Sequence, residues 1–146
     1  MAYKGKFTPK NKNKYTGNIN RIVFRSLWER RFMIYCDDNP KVLKWSSEEL
    51  KIKYISPIDR RWHTYWPDFY IMIKGSGTNA WKIQEMVVEI KPKKYCKPPK
   101  EGKNKKTFLW ESKNFVINTA KWEAAKEFCK RQKWEFKILT EDQLLP

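Results

Sequence analysis

The chain has 146 residues, enough for one domain with a real core and too few for two ordinary ones. Its 32 lysines and arginines against 16 acidic residues give a formal charge of +16, which opposes compaction by self-repulsion and suits a polyanionic partner such as nucleic acid. With 40% apolar and 16% aromatic residues the composition is that of a folded chain, and no apolar run approaches the ~20 residues that span a bilayer. Residues 1–14 lack the apolar core of a signal peptide. Three cysteines without metal-ligand spacing (Cys36, Cys96, Cys129) indicate a reducing, intracellular setting. The single histidine, His63, argues against a conventional zinc site or a His-based triad.

Residues 1–18 hold five lysines with Gly5, Pro9 and Gly17 and no periodicity, and are expected to form a flexible basic arm ahead of a single domain over 19–146. Trp28, Phe32, Tyr35 and Cys36 fall on one helical stripe, predicting a helix over 26–37 with Ser26 as N-cap and Asn39-Pro40 as its stop. Strands are predicted over 42–45, 50–55, 62–65 and 69–73, with a turn at Ser56-Pro57-Ile58-Asp59 and Pro67 at a strand start or sheet edge. A loop over 75–79 leads to a strand over 83–90, closed by Pro92. Residues 91–106 contain eight lysines and one glutamate with three prolines, a second basic segment. Trp122, Ala125, Phe128 and Cys129 then share a helical face over 119–133, with Asn118 as candidate cap, and 136–139 is a last strand. The order of elements predicts an α/β (α+β) fold, one mixed sheet flanked by helices.

The strands on either side of the 75–79 loop carry the chemistry. In a hairpin whose paired residue numbers sum to 157, Asp68 lies opposite Glu89 and Ile73 opposite Gln84. Asp68 and Glu89 are then cross-strand neighbours with Cβ atoms ~4.5–5.5 Å apart. Lys91 projects from the same face, because strand side chains alternate. Two opposed carboxylates repel unless a cation lies between them, and Mg²⁺ takes such oxygen ligands while keeping waters and accepting phosphate oxygens. The set therefore suits metal-assisted phosphodiester cleavage, with Lys91 orienting the attacking water or stabilising the developing anion.

Pro67-Asp68, twenty intervening residues, then Glu89-Ile90-Lys91 resembles the active-site signature of the PD-(D/E)XK nuclease superfamily. More locally, the runs Arg25-Ser26-Leu27-Trp28-Glu29-Arg30-Arg31-Phe32, Val42-Leu43-Lys44-Trp45-Ser46-Ser47-Glu48-Glu49 and Tyr54-Ile55-Ser56-Pro57-Ile58-Asp59 resemble the head-completion nucleases of T-even-type tailed phages. The layout is also similar to TnsA-type transposase endonucleases. The resemblance implies a restriction-endonuclease-like fold. It also implies Asp68, Glu89, Lys91 and helix-borne Glu29 as catalytic residues, and the main-chain carbonyl of Ile90 as a further metal ligand beside Asp68 and Glu89. It implies a role in processing packaged DNA during head completion, in the host cytoplasm and in association with the virion, with portal or neck proteins as partners.

Each of these residues has a simpler structural use. Ser26-x-x-Glu29 is also a capping box, Asp68 a strand-start aspartate, and Glu89 with Lys91 an alternating charged strand face. His63 beside Trp62 and Tyr65 fits packing as well as phosphate contact, and Trp62, Tyr65 and Trp66 fit edge packing as well as base stacking. Asp37-Asp38 and Glu48-Glu49 are expected at helix ends and in solvent. The sequence thus predicts a Mg²⁺-dependent DNA endonuclease, with Mn²⁺ as a substitute metal, acting on double-stranded DNA without sequence preference. Arg25, Lys93, Lys94, Lys97 and His63 are the candidate DNA contacts. The alternatives are a non-catalytic, DNA-gripping head or neck protein and the cleaving subunit of a transposase.

Overall fold

Alternation along the segment predicted as the second hairpin strand decides the architecture: Met86, Val88 and Ile90 enter one core while Val87 and Glu89 are buried on the opposite face. A strand buried on both faces needs cover on both, and the two helices supply it. The computed structural model describes residues 4–75, 77–79, 81–102 and 104–144. In order along the chain the elements are β1 (Gly5–Lys6), β2 (Val23–Phe24), α1 (Leu27–Asp38), β3 (Val42–Ser47), β4 (Ile52–Ile55), β5 (Trp62–Tyr65), β6 (Phe69–Lys74), β7 (Ile83–Ile90), α2 (Lys105–Gln132), β8 (Glu135–Leu139) and the short α3 (Glu141–Leu144). Four strands form the central sheet in the order β3-β6-β7-β8, antiparallel except for the parallel pair β7 and β8. β4 and β5 form a separate antiparallel ribbon.

On one face Phe32, Met33 and Cys36 of α1 pack against Trp45, Phe69, Ile71, Met86 and Val88. On the other, Trp122 and Ala125 of α2 pack against Ile52, Tyr54 and Tyr65 of the ribbon, with Phe136 and Ile138 of β8 beside them. The predicted mixed sheet with flanking helices is the observed one, and so is the register: Phe69 pairs with Val88, Ile73 with Gln84 and Lys74 with Ile83. Ser76 and Ala80 of the connecting loop lie outside the described residues.

Three expectations need correction. Residues 4–18 are not a flexible arm. β1 pairs with β2, Pro9 is fully buried, and Tyr15 is a core residue packed edge-on against Trp45. The segment is held because Asp37, 2% exposed at the end of α1, accepts the main-chain amides of Lys10 and Asn11 at 2.8 and 2.9 Å, while the Lys14 ammonium donates to the Asp37 and Asn39 carbonyls. Lysines mark the segment as basic, yet its backbone and Lys14 dock while Lys4, Lys6, Lys10 and Lys12 stay exposed. Residues 1–3 lie outside the described residues.

Second, Asp37 is buried rather than solvated, while Glu49 is exposed as expected but held by neighbouring groups. Asp37 acts as just described, and Glu49 accepts from the Tyr15 hydroxyl and the Asn18 amide. Gly17, at φ +147°, lets that carboxylate approach so closely that a Cβ there would lie 2.1 Å from Glu49 Oε2. Asp38 is exposed, as expected.

Third, the second helix is twice as long as its apolar stripe. It starts at Lys105, capped by Asn104, whose side chain accepts the amides of Lys106 and Thr107, so Asn118 is interior rather than a cap. Its first half leaves Leu109, Trp110 and Val116 exposed, and a helix with no buried face there shows no period. Lys133, at φ 63°, ends it in the left-handed conformation that glycine usually supplies.

Candidate active site

The hairpin register carries Asp68 and Glu89 to one end of the sheet, on the face toward α2. Their contacts interlock across the two strands: the Asp68 amide donates to Glu89 Oε1 at 3.3 Å, and the Ile90 amide donates to Asp68 Oδ2 at 2.8 Å. β7 is interior to the sheet, flanked by β6 and β8, which is why Glu89 is only 7% exposed. Ile90 uses its amide on Asp68.

Two further carboxylates converge from other elements. Glu29 stands in the first turn of α1, where its Oε2 accepts the amide of Arg25 and the hydroxyl of Ser26, while Ser26 Oγ caps the Glu29 amide. The capping arrangement and the site position are thus one geometry, with the Arg25 amide in the place expected for that of Ser26. Glu48 was expected in solvent; its position corrects that expectation. β3 ends at Ser47, and Glu48 turns the chain at φ 52°, its amide held by the Asp68 carbonyl at 3.1 Å. A non-glycine residue in the left-handed region is strained, and such residues gather at functional sites. Glu29, Glu48 and Asp68 each present a carboxylate oxygen, and these three atoms lie within 4.8 Å of one another.

The concentration of negative charge shows in the titration of the groups. Burial, and then the charges of Glu89 and Glu29, hold the Asp68 carboxyl well above the usual carboxylate range. Burial also raises Glu29, against the opposing hydrogen bond from the Arg25 amide. Tyr65, 3% exposed, leaves its hydroxyl without a hydrogen-bond partner among the described residues, and burial followed by the neighbouring Glu89 charge raises its pKa.

Cations surround the cluster. Arg25 pairs with Glu48. Lys91, two residues beyond Glu89, is partly buried, its amide bonded to the Leu139 carbonyl. Sequence reasoning missed Lys121 of α2, which feels the charges of Glu89, Asp68 and Lys91; its ammonium lies 5.6 Å from the Tyr65 ring centre, and burial lowers its pKa. Its place one turn before Ala125 on the buried face of α2 was the available signal.

The donor set fits a hard divalent cation. It consists only of oxygens, the carboxylates repel one another, and an orphaned buried hydroxyl adjoins them. Mg²⁺ and Mn²⁺ match that chemistry. Glu29, Glu48 and Asp68 are the carboxylates whose oxygens converge, and Glu89 backs Asp68 from the adjacent strand.

Of the candidate DNA contacts, Arg25 adjoins the cluster, while Lys94 and Lys97 line a cleft that begins at Lys91. Lys93 instead holds the C-terminal turn, its ammonium 3.0 Å from Asp142 and its amide bonded to Glu141. His63 sits on the β4–β5 ribbon, bonded to Asp59 at 2.8 Å with its ring beside Tyr54. Tyr65 is buried and unavailable for base stacking, whereas Trp62 and Trp66 are exposed. A larger cavity of about 730 Å³ lies on the opposite face of the sheet, lined by Phe32, Ile71, Met86 and Val88, and contains none of the four carboxylates.

Residues 39–141 match the family described as TnsA-like endonuclease N terminal. The chain is also 38% identical to the head completion nuclease of Enterobacteria phage T4 over 149 residues, covering 99% of this chain and 95% of that protein.

Proposed function

The chain belongs to the TnsA-like endonuclease family, and we propose that it is a divalent-metal-dependent DNA endonuclease that acts in phage head completion. The observation that carries this reading is the meeting of Asp68, paired across the hairpin with Glu89, with Glu29 from α1 and Glu48 from the end of β3. Four carboxylates are gathered at one end of a sheet in a chain whose net charge is +16. The positive surface attracts the DNA backbone, and the negative centre selects the cation that must accompany a phosphate there.

Asp68, Glu29 and Glu48 would hold Mg²⁺, or Mn²⁺ in its place, with Glu89 and the Ile90 carbonyl as the further ligands expected of the family signature. The cation supplies Lewis acidity toward the phosphate and a more acidic water. The Ile90 amide holds the Asp68 carboxylate and Glu89 holds the Asp68 main-chain amide, so that Asp68 need not reorganise when substrate arrives. Lys91 and Lys121 stand on the α2 side of the carboxylates, where an ammonium stabilises charge developing on the scissile phosphate or orients the attacking water. Tyr65 closes the site from the ribbon and excludes bulk water. Arg25, Lys94 and Lys97 contact neighbouring phosphates, which gives affinity without sequence information.

In this reading the protein works in the host cytoplasm, stays with the virion, and meets its DNA at the portal or neck. Among the described residues no helix is long and apolar enough to cross a membrane. The test is supercoiled plasmid incubated with the purified protein in Mg²⁺, in Mn²⁺ and in EDTA. Nicked and linear products that require metal support the proposal. Tight, salt-sensitive DNA binding with no product under any metal contradicts it and favours a DNA-gripping head or neck protein.

A further inference from the structure

A cleft of about 300 Å³ runs along α2 from Trp110 to Lys121, the lysine that feels the charges of Glu89 and Asp68. Lys91 and Lys121 both line it, and the two ammoniums are close enough to act on one another. Its walls are aromatic: Tyr95 after β7, and Trp110 and Phe115 on the helix. Trp110 is 61% exposed, a large indole left in solvent on the half of α2 that has no buried face. The Lys94 ammonium lies 4.7 Å from the Tyr95 ring centre, so cation and ring stand together at the rim.

Polar groups of the kind that read base edges lie between these rings. Asn114 gives one amide N–H to the Trp110 carbonyl at 2.9 Å, which fixes its side chain and, among the described residues, leaves its carbonyl oxygen and second N–H free. Asn118 and Glu111 line the same space and make no side-chain hydrogen bond among the described residues. Amides and a carboxylate match the mixed donors and acceptors of a nucleobase edge, while the lysines match its phosphates. The volume admits roughly one nucleoside and is far too small for a duplex.

Resting on the endonuclease reading, we propose that this cleft receives an unpaired nucleotide adjoining the scissile phosphate, stacked on Trp110, so that the preferred substrate is DNA with a gap, flap or displaced strand at the cut. Intact duplex reaches the carboxylates only after a nucleotide has left the helix, which adds an unstacking step. The preference comes from stacking and therefore tolerates any base.

The experiment uses the full chain in EDTA, where binding is read without cleavage. Two DNAs of the same sequence are compared, one fully paired and one with a short single-stranded gap carrying 2-aminopurine. Gapped DNA is expected to bind about fivefold or more tightly, with a change in 2-aminopurine fluorescence. In Trp110→Ala that ratio falls below about twofold, and Trp110→Phe, which keeps a ring, restores most of it. The exposure of Trp110 makes both variants compatible with folding, which circular dichroism checks. Equal affinity for the two DNAs, or a gap preference that survives Trp110→Ala, overturns the proposal. Plasmid nicking by the wild-type protein in Mg²⁺ is run in parallel. Nicking without gap preference defeats this inference alone, and gap preference without nicking defeats the endonuclease reading alone.

Discussion

The Ile90 amide donates to Asp68 Oδ2 at 2.8 Å, tying the carboxylate of one hairpin strand to the backbone of the other. The Asp68 amide returns the contact to Glu89 Oε1 at 3.3 Å. This reciprocity holds two mutually repelling carboxylates side by side, and their repulsion opposes the fold's stability.

That repulsion has a pH signature. The folded state binds the Asp68 proton more tightly than the unfolded chain does, because burial and then Glu89 and Glu29 raise the carboxyl. Its stabilising contribution is therefore complete below the unfolded value near 3.8 and is lost as pH rises through the raised folded value. In EDTA at neutral pH, Asp68→Asn is expected to melt ~3–10 °C above wild type, corresponding to ~1–3 kcal/mol, and the gap should close as pH falls toward the unfolded value. Mg²⁺ at ~100 times its Kd should raise wild type by ~2.7 kcal/mol and leave Asp68→Asn nearly unmoved. Thermal melts across pH, with and without Mg²⁺, read both effects; a variant less stable than wild type at every pH would contradict the account.

Glu48 is the carboxylate that the sequence did not single out. Glu48→Gln preserves its shape and removes its charge, so calorimetry should find metal affinity lowered ~10–100-fold. Unchanged affinity would remove Glu48 from the metal site and leave its left-handed backbone without a functional reason.

Lys91→Ala should separate chemistry from binding. Loss of one ammonium beside the scissile phosphate predicts a rate ~10²–10³ lower at saturating Mg²⁺. The slope of log affinity against log salt should fall by about 1 or less, the worth of a single phosphate contact. A purely electrostatic role would instead lower binding and rate together.

The N-terminal segment should behave as core. Asp37→Ala removes a buried carboxylate that accepts the amides of Lys10 and Asn11, at a cost of ~1–3 kcal/mol or a drop of ~3–10 °C in melting temperature. A flexible arm would instead allow the substitution with no change in the melt.

The contrast between Asp68 and Glu48 shows how much could be read beforehand. Two β-prone runs joined by a glycine-containing loop read as a hairpin, and the register assumed for it, in which paired numbers sum to 157, is the observed one and places Asp68 beside Glu89. Glu29 was legible as a helix-borne acid after Ser26. Glu48 was not, because a left-handed turn at a glutamate has no sequence signature, and adjacent acids in a basic chain read as solvated. Asp37 was hidden likewise: its partners are backbone amides more than twenty residues away, which no local pattern announces. The exposed half of α2 escaped because a helix stretch that packs on no core carries no hydrophobic period, and Lys121 because a lysine within an apolar stripe reads as an interruption of it.

The central claim is that the paired carboxylates of the hairpin catalyse phosphodiester cleavage, and the most direct measurement is plasmid nicking in Mg²⁺ by wild type and Glu89→Gln, with DNA affinity measured on the same samples. The account predicts metal-dependent nicking by wild type and a rate ~10³-fold lower or worse in the variant, on the scale of several kcal/mol of lost transition-state stabilisation. DNA affinity should stay within about threefold, because Glu89 is buried and makes no phosphate contact. Nicking by Glu89→Gln at the wild-type rate would contradict it.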